Sequence, residues 1–181
     1  VCLDEPMKLI EMTTTPLTLL REIRLHADIQ GCHSAVQLPS GEYAVCHTGH
    51  GTSFVYEVCV LDADSNLKLT FTYHGSDSFV TADGEYHRMI ADKDGFLYVI
   101  VPSDDGPGEQ VTILSAALNV EGSIKVPWRH TVGGVAFDNS TRRLYMVDRA
   151  PGGNRRLLTA VPVTASSKRF SVIANFSFCH L

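Results

Sequence analysis

Met89-Ile90-Ala91, then Asp92-Lys93-Asp94-Gly95, then Phe96-Leu97-Tyr98-Val99 is the stretch that decides the fold. An apolar run, a turn built from Asp and Gly, and a second run of aromatic and aliphatic residues predict a β-hairpin. The plan recurs on both sides. Upstream, Ala35-Val36-Gln37-Leu38 and Tyr43-Ala44-Val45 flank the turn Pro39-Ser40-Gly41. Downstream, Val135-Ala136-Phe137 and Leu144-Tyr145-Met146-Val147-Asp148 flank Asp138-Asn139-Ser140-Thr141. Gly41 and Gly95 stand 54 residues apart, Tyr98 and Tyr145 47. Helical periodicity is weak almost everywhere, so the chain reads as all-β.

A second strand pair follows each hairpin. Val58-Cys59-Val60-Leu61 with Leu67-Lys68-Leu69-Thr70-Phe71 matches Val111-Thr112-Ile113-Leu114 with Asn119-Val120. A third copy starts at Leu157-Leu158-Thr159-Ala160-Val161 and runs toward Phe170-Ser171-Val172-Ile173. Ahead of them lie Lys8 to Met12 and Leu19 to Leu25, the end of an earlier unit. Four strands per unit at a period of about 50 residues predict propeller blades. A solenoid would have shorter units, and a sandwich would not repeat. The expected organisation is a tail of a preceding blade at 1–25, then blades at 26–75, 76–127 and 128–181, the last with a divergent C-terminal end. That makes about three and a half four-stranded blades, an incomplete ring.

Length and composition narrow the function classes. The 181 residues are 44% hydrophobic and 19% charged, which excludes wholesale disorder. The longest apolar run, Phe96 to Val101, falls well short of the about 20 residues that span a bilayer, so no membrane partner is expected. The first residue is Val1, and no basic stretch with an apolar core follows, so the chain reads as processed or as a fragment. Cys2, Cys32, Cys46, Cys59 and Cys179 are odd in number and widely spaced. They predict thiols in a reducing compartment and a cytoplasmic location. The sequons at Asn139 and Asn175 carry no weight without a secretory leader.

The charge is polarised. Residues 1–127 hold 7 Lys/Arg against 18 Asp/Glu, whereas 128–181 hold 8 Lys/Arg against Asp138 and Asp148 alone, for a net −5 overall. A basic segment of this kind suits phosphates or an acidic protein surface.

These residues carry a family resemblance. Leu19 to Leu25, then His33 to His47, then Glu57 to Leu61 resemble an NHL-repeat propeller. They are most similar to the propellers that end invertebrate tripartite-motif (RING, B-box, coiled-coil) proteins. Ile90-Ala91-Asp92, and Val135 to Asp138 with Leu144 to Asp148, match the strand-turn-strand core of that repeat. The resemblance covers roughly residues 1–163 and loosens from Thr164 to Leu181. It implies a recruiting module of a ubiquitin-ligase-like protein, and for some relatives RNA binding. Two departures stand out. Family propellers commonly have six blades, and Ile100-Val101-Pro102 stands where an Asp usually closes the core motif. No Cys/His spacing of a RING or B-box occurs, so ligase activity would belong to another part of the protein.

Catalytic and metal chemistry find little footing. The dipeptides Cys32-His33, Cys46-His47 and Cys179-His180 cannot readily put both side chains on one ion, because neighbours on a strand face opposite ways. His47 and His50 could pair across Thr48-Gly49 but have no matched second pair. There is no Gly-x-Ser-x-Gly elbow. The acids that a calcium-dependent propeller hydrolase would need mostly occupy turns, such as Asp92 and Asp94 or Asp104 and Asp105. Gly106-Pro107-Gly108 and Pro151-Gly152-Gly153 lack the Lys-Ser/Thr ending of a phosphate cradle. The expectation is a non-enzyme with no metal and no cofactor.

Binding remains. In a propeller the loops joining second to third strands, and those joining blades, gather on one face. Here that face would collect His33, His87, Arg88, Trp128, Arg129, His130, Arg149, Asn154 and Arg155, with His47 and His50 beside them. Arg142 and Arg143 would sit on the opposite face. The first expectation is a protein partner anchored on this Arg/Trp/His surface. The alternative is single-stranded RNA, favoured by the basic last blade and opposed by the acidic remainder. A calcium-dependent hydrolase is a third reading. Open blade faces would also permit self-association.

Overall fold

The structure, a computed structural model, describes residues 2–3, 8–25, 29–48, 55–74, 89–102, 109–125, 131–149, 156–163 and 174–176. Every regular element among them is a strand. The chain divides into two compact units, Val1–Asp77 and Ser78–Leu181.

The first unit holds two sheets. One is three-stranded, of β1 (Cys2–Leu3), β2 (Lys8–Thr14) and β3 (Leu17–Arg24). The other is four-stranded, of β4 (Gln30–Gln37), β5 (Tyr43–Thr48), β6 (Val55–Leu61) and β7 (Leu67–His74). The second unit repeats the four-stranded form twice. Its first sheet runs β8 (Met89–Ala91), β9 (Leu97–Pro102), β10 (Glu109–Leu114) and β11 (Val120–Lys125). Its second runs β12 (Thr131–Asp138), β13 (Arg143–Arg149), β14 (Arg156–Pro162) and β15 (Ala174–Phe176). In every sheet consecutive strands pair antiparallel. The chain is all-β, a series of four-stranded meanders of the kind that forms propeller blades.

One turn, reused, sets this plan. In each of four short connections a residue with positive φ closes the loop: Gly41 (φ 87), Ser65 (φ 69), Gly95 (φ 86) and Leu118 (φ 58). Its amide donates to the carbonyl three residues back, as in Gly41 to Leu38 and Gly95 to Asp92. The amide of that earlier residue donates to the carbonyl just past the turn, as in Leu38 to Glu42 and Asp92 to Phe96. This is a type I turn closed by a left-handed residue, which matches the twist of the flanking strands. Acidic side chains reinforce it. Asp62 Oδ1 accepts from the amides of Asp64 and Asn66 at 2.9 and 2.8 Å, and Asp92 Oδ1 from those of Asp94 and Phe96 at 2.9 and 3.0 Å. In the β12–β13 turn Asp138 plays this part, accepting from the Ser140 amide and the hydroxyls of Ser140 and Thr141. There Arg142 takes the left-handed position, at φ 54.

Apolar faces then stack the sheets within each unit. In the first, Leu9, Ile23 and Leu25 pack with Tyr43, Val45, Cys59 and Leu61. In the second, Tyr98, Ile100, Val111, Ile113 and Ile124 pack with Leu144, Met146 and Val163. Each such side chain contributes about 1.5–3 kcal/mol when fully buried. Residues 97–101 are buried on both faces of β9, which marks it as an interior strand.

A polar clasp completes each stack. Asp92, buried, accepts from Tyr98 Oη at 3.1 Å and pairs with Arg142 at 3.2 Å; Arg142 also reaches Asp94 at 2.6 Å. Tyr98 stacks on Phe137 with ring centres 4.9 Å apart, and Arg142 lies over the Phe137 ring. In the first unit Arg21 Nε donates to Glu11 Oε2 at 2.6 Å, and Arg21 donates a further bond to Tyr43 Oη. The two clasps use the same three chemistries, an acid, an arginine and a tyrosine.

One expectation is corrected. Cys32 is disulfide-bonded, and to neither Cys46 nor Cys59, so thiols do not occur throughout. The fourth strand of the last sheet is described at Ala174–Phe176, and the expected 170–173 lies outside the described residues. A strand at Cys2–Leu3 was not expected.

Two stability predictions follow from the turns. A Cβ at Gly41 would meet open space, so Gly41→Ala isolates the backbone cost of a left-handed alanine. It should destabilise by about 0.5–1 kcal/mol, the left-handed penalty less glycine's entropy, and Ser65→Gly should stabilise by a similar amount. Urea unfolding of both variants checks the opposite signs. Arg142→Gly sets two effects against each other. It relieves a left-handed arginine worth about 1–2 kcal/mol, but strips a buried carboxylate of its partner, which costs about 3–5 kcal/mol in fully buried pairs. The expected net is destabilisation by about 1–3 kcal/mol; a stabilised variant would show that the clasp contributes little.

A third concerns pH. Hydrogen bonds from the Thr141 and Ser140 hydroxyls hold the Asp138 carboxyl down at about 2, against an ordinary 3.8. A depressed carboxyl contributes stability that is complete above its unfolded value and lost as pH falls through the folded one. Wild type should therefore lose turn stability between about pH 4 and pH 2, and Asp138→Asn should flatten that part of the acid-unfolding curve. Burial, then Asp92, raises the Tyr98 phenol. Its contribution holds below the ordinary phenol value and falls away as alkali ionises the unfolded chain.

Candidate functional site

The antiparallel order fixes which connections share an end of each sheet. Within each four-stranded sheet, the short turns at 38–42 and 62–66, 92–96 and 115–119, or 138–143 lie at one end. The second-to-third connections at 49–54, 103–108 and 150–155, and the segments between sheets, leave from the other. The described short turns are rich in acids: Asp62, Asp64, Asp92, Asp94 and Asp138.

Of the nine residues expected on the opposite end, His33 and Arg149 belong to β4 and β13 by backbone, with side chains outside the described residues. His87, Arg88, Trp128, Arg129, His130, Asn154 and Arg155 lie outside the described residues, as does His50. His47 is described, and it is not at a surface. It is buried, with 1% of its area exposed.

Its surroundings form the site that the sequence reading missed. β5 and β6 pair in the register His47↔Glu57 and Val45↔Cys59, and β6 and β7 in the register Glu57↔Thr72 and Cys59↔Thr70. Residues opposite one another in an antiparallel pair share a face, and so do residues two apart on one strand. His47, Glu57 and Cys59 therefore point the same way. His47 Nε2 lies 3.1 Å from Cys59 Sγ and 3.5 Å from Glu57 Oε2. The three donor atoms all lie within 4.8 Å of one another. Thr72 Oγ1 donates to the other carboxylate oxygen, Glu57 Oε1, at 3.2 Å, and Thr70 Oγ1 lies 3.6 Å from the thiol.

Position and chemistry agree. Cys59 belongs to the core between the two sheets of its unit, and is buried like His47, while a quarter of the Glu57 side chain is exposed. Both sulfur and carboxylate approach the same imidazole nitrogen. A nucleophile, base and orienting acid would instead use the two ring nitrogens separately. The arrangement thus converges on a point rather than forming a relay.

Cys46 and His47 do face opposite sides of β5, so that dipeptide cannot itself hold an ion. The cross-strand neighbours of His47 escape spacing rules, which find only ligands close in sequence. The signal that would have found them is hairpin register: His47 and the Glu57-x-Cys59 pair sit symmetrically about the 48–56 segment.

No protein-family model matches the chain, and no curated protein matches it. Among solved structures it is similar to a protein from Lactobacillus plantarum, at 13% identity and a TM-score of 0.42, over 96% of this chain and 52% of that one. The chain thus spans about half the length of that solved protein.

Proposed function

We propose that the chain is a non-enzymatic binding module that holds a protein partner on the long-loop end of its sheets. One observation carries the reading. Each four-stranded sheet has an acid-stapled short turn at one end and its second-to-third connection at the other, although in the last sheet the 163–173 connection shares the short-turn end. Rigid sheets that display longer loops at one end are a common platform for recognition. The loop segments supply Trp128 and a set of arginines, the residue types that anchor protein interfaces. The finer proposal, from the resemblance to NHL propellers of tripartite-motif proteins, is that the partner is a substrate recruited to a ubiquitin ligase. A disulfide at Cys32 counts against a reducing compartment, and so against the cytoplasmic setting that this finer proposal needs.

A second reading has its own support. Residues 128–181 carry 8 Lys/Arg against two acids, and Arg129, Arg149 and Arg155 fall in or beside the loop segments. Single-stranded RNA would use the same end.

The combined variant Arg129→Glu, Arg149→Glu, Arg155→Glu separates the readings. A photo-crosslinker at Trp128 should capture a discrete protein from the cells that make this chain, and one at Asn139, in a short turn, should not. The triple variant should weaken that complex by about 30-fold or more, as loss of a hot spot does. Equal labelling at both positions sinks the protein reading. Filter binding to single-stranded RNA tests the other. Absence of binding at low salt removes RNA, whereas a salt slope that falls by about one per lost arginine establishes it.

A further inference from the structure

We propose that His47, Glu57 and Cys59 form a metal site for zinc or a similar borderline divalent cation. Charge balances at such a site. A cation held there would meet a thiolate, a carboxylate and a neutral imidazole. Two negative charges against a divalent ion leave the site neutral, as a low-dielectric core requires.

Donor type selects the metal. Sulfur and imidazole nitrogen favour zinc and its neighbours over calcium or magnesium, which take oxygen sets. Geometry is favourable without rearrangement of the backbone. The three groups stand on two hydrogen-bonded strands in fixed register, and their donor atoms already lie within 4.8 Å of one another. Thr72 engages Glu57 Oε1 and leaves Oε2 on the side of His47. Hydroxyl contacts of this kind orient ligands and tune their affinity. Three protein ligands leave a position for solvent, which the partly exposed Glu57 edge admits. The ion would tie β5 to β6 at the margin of the first unit's core, next to Cys59 and its packing partners Val45 and Leu61.

Binding displaces the thiol proton, so affinity should fall as pH is lowered.

The test uses the full chain, purified and treated with chelator, without thiol reductant so that Cys32 keeps its disulfide. Cobalt(II) is the probe. Wild type should take up one equivalent, with the near-ultraviolet absorption of a thiolate–cobalt bond, and zinc should displace it and raise the unfolding temperature. Cys59→Ala should lose that absorption, and Cys46→Ala, on the opposite face of β5, should keep it. Glu57 is partly exposed, so Glu57→Gln is the substitution least disturbing to the fold. It should fold normally and bind at least about tenfold more weakly, because loss even of a group that only orients ligands costs that much. Wild type without thiolate absorption overturns the proposal, as does Glu57→Gln with unchanged cobalt affinity.

Discussion

The rest of the structure depends on one constraint: a sheet whose interior strands are apolar on both faces cannot stand in water alone. β9 buries Leu97, Tyr98, Val99, Ile100 and Val101 in succession, and each exposed face of such a strand would forfeit several kcal/mol. Its Tyr98 and Ile100 face is met by Leu144 and Met146 of the next sheet. The first unit solves the same problem with Leu9 and Ile23 against Val45 and Leu61. Stacking is therefore a condition of folding for each sheet, and short meanders follow from it, since antiparallel strands joined by tight turns are the most local way to build such a sheet.

Polar groups are deployed around that constraint. Acids at the short turns satisfy backbone amides that would otherwise need solvent, and they do so where the chain reverses most sharply. The same acids then serve between sheets. Asp92 staples its own turn through one oxygen and meets Tyr98 and Arg142 through the other. A single carboxylate thus links local turn formation to the docking of a neighbouring sheet. The His47 cluster differs in kind. It lies at the margin of a core where three groups capable of holding a cation converge, and no staple of the backbone explains that convergence.

Much of the fold was legible in the sequence. The hairpins around Gly41, Gly95 and Asp138 were readable because turn chemistry is local, and the apolar runs beside them are short. The last strand was the least legible element. Between Leu157 and the C-terminus the sequence offers no Asp-x-x-Gly turn to set the register, so periodicity alone had to place it. Burial of His47 was also illegible, since an imidazole after Cys46 reads equally well as loop surface until the β5–β6 register is known. Likewise Arg142 looked like a surface charge in a turn. Its reach back to Asp92, 50 positions earlier, is a property of stacked sheets and not of any window of sequence.

The two clasps run in opposite directions. In the first unit the arginine comes from the earlier sheet and the tyrosine from the later; in the second unit the tyrosine comes from the earlier and the arginine from the later. Freely interchangeable blades would share one polarity. Here a sheet exchanged for its counterpart at the same position in the other unit would meet arginine with arginine or tyrosine with tyrosine. A pair of blades moved together would bring a complete one. For engineering by exchange of equivalent sheets, the unit that keeps its clasp intact is the pair.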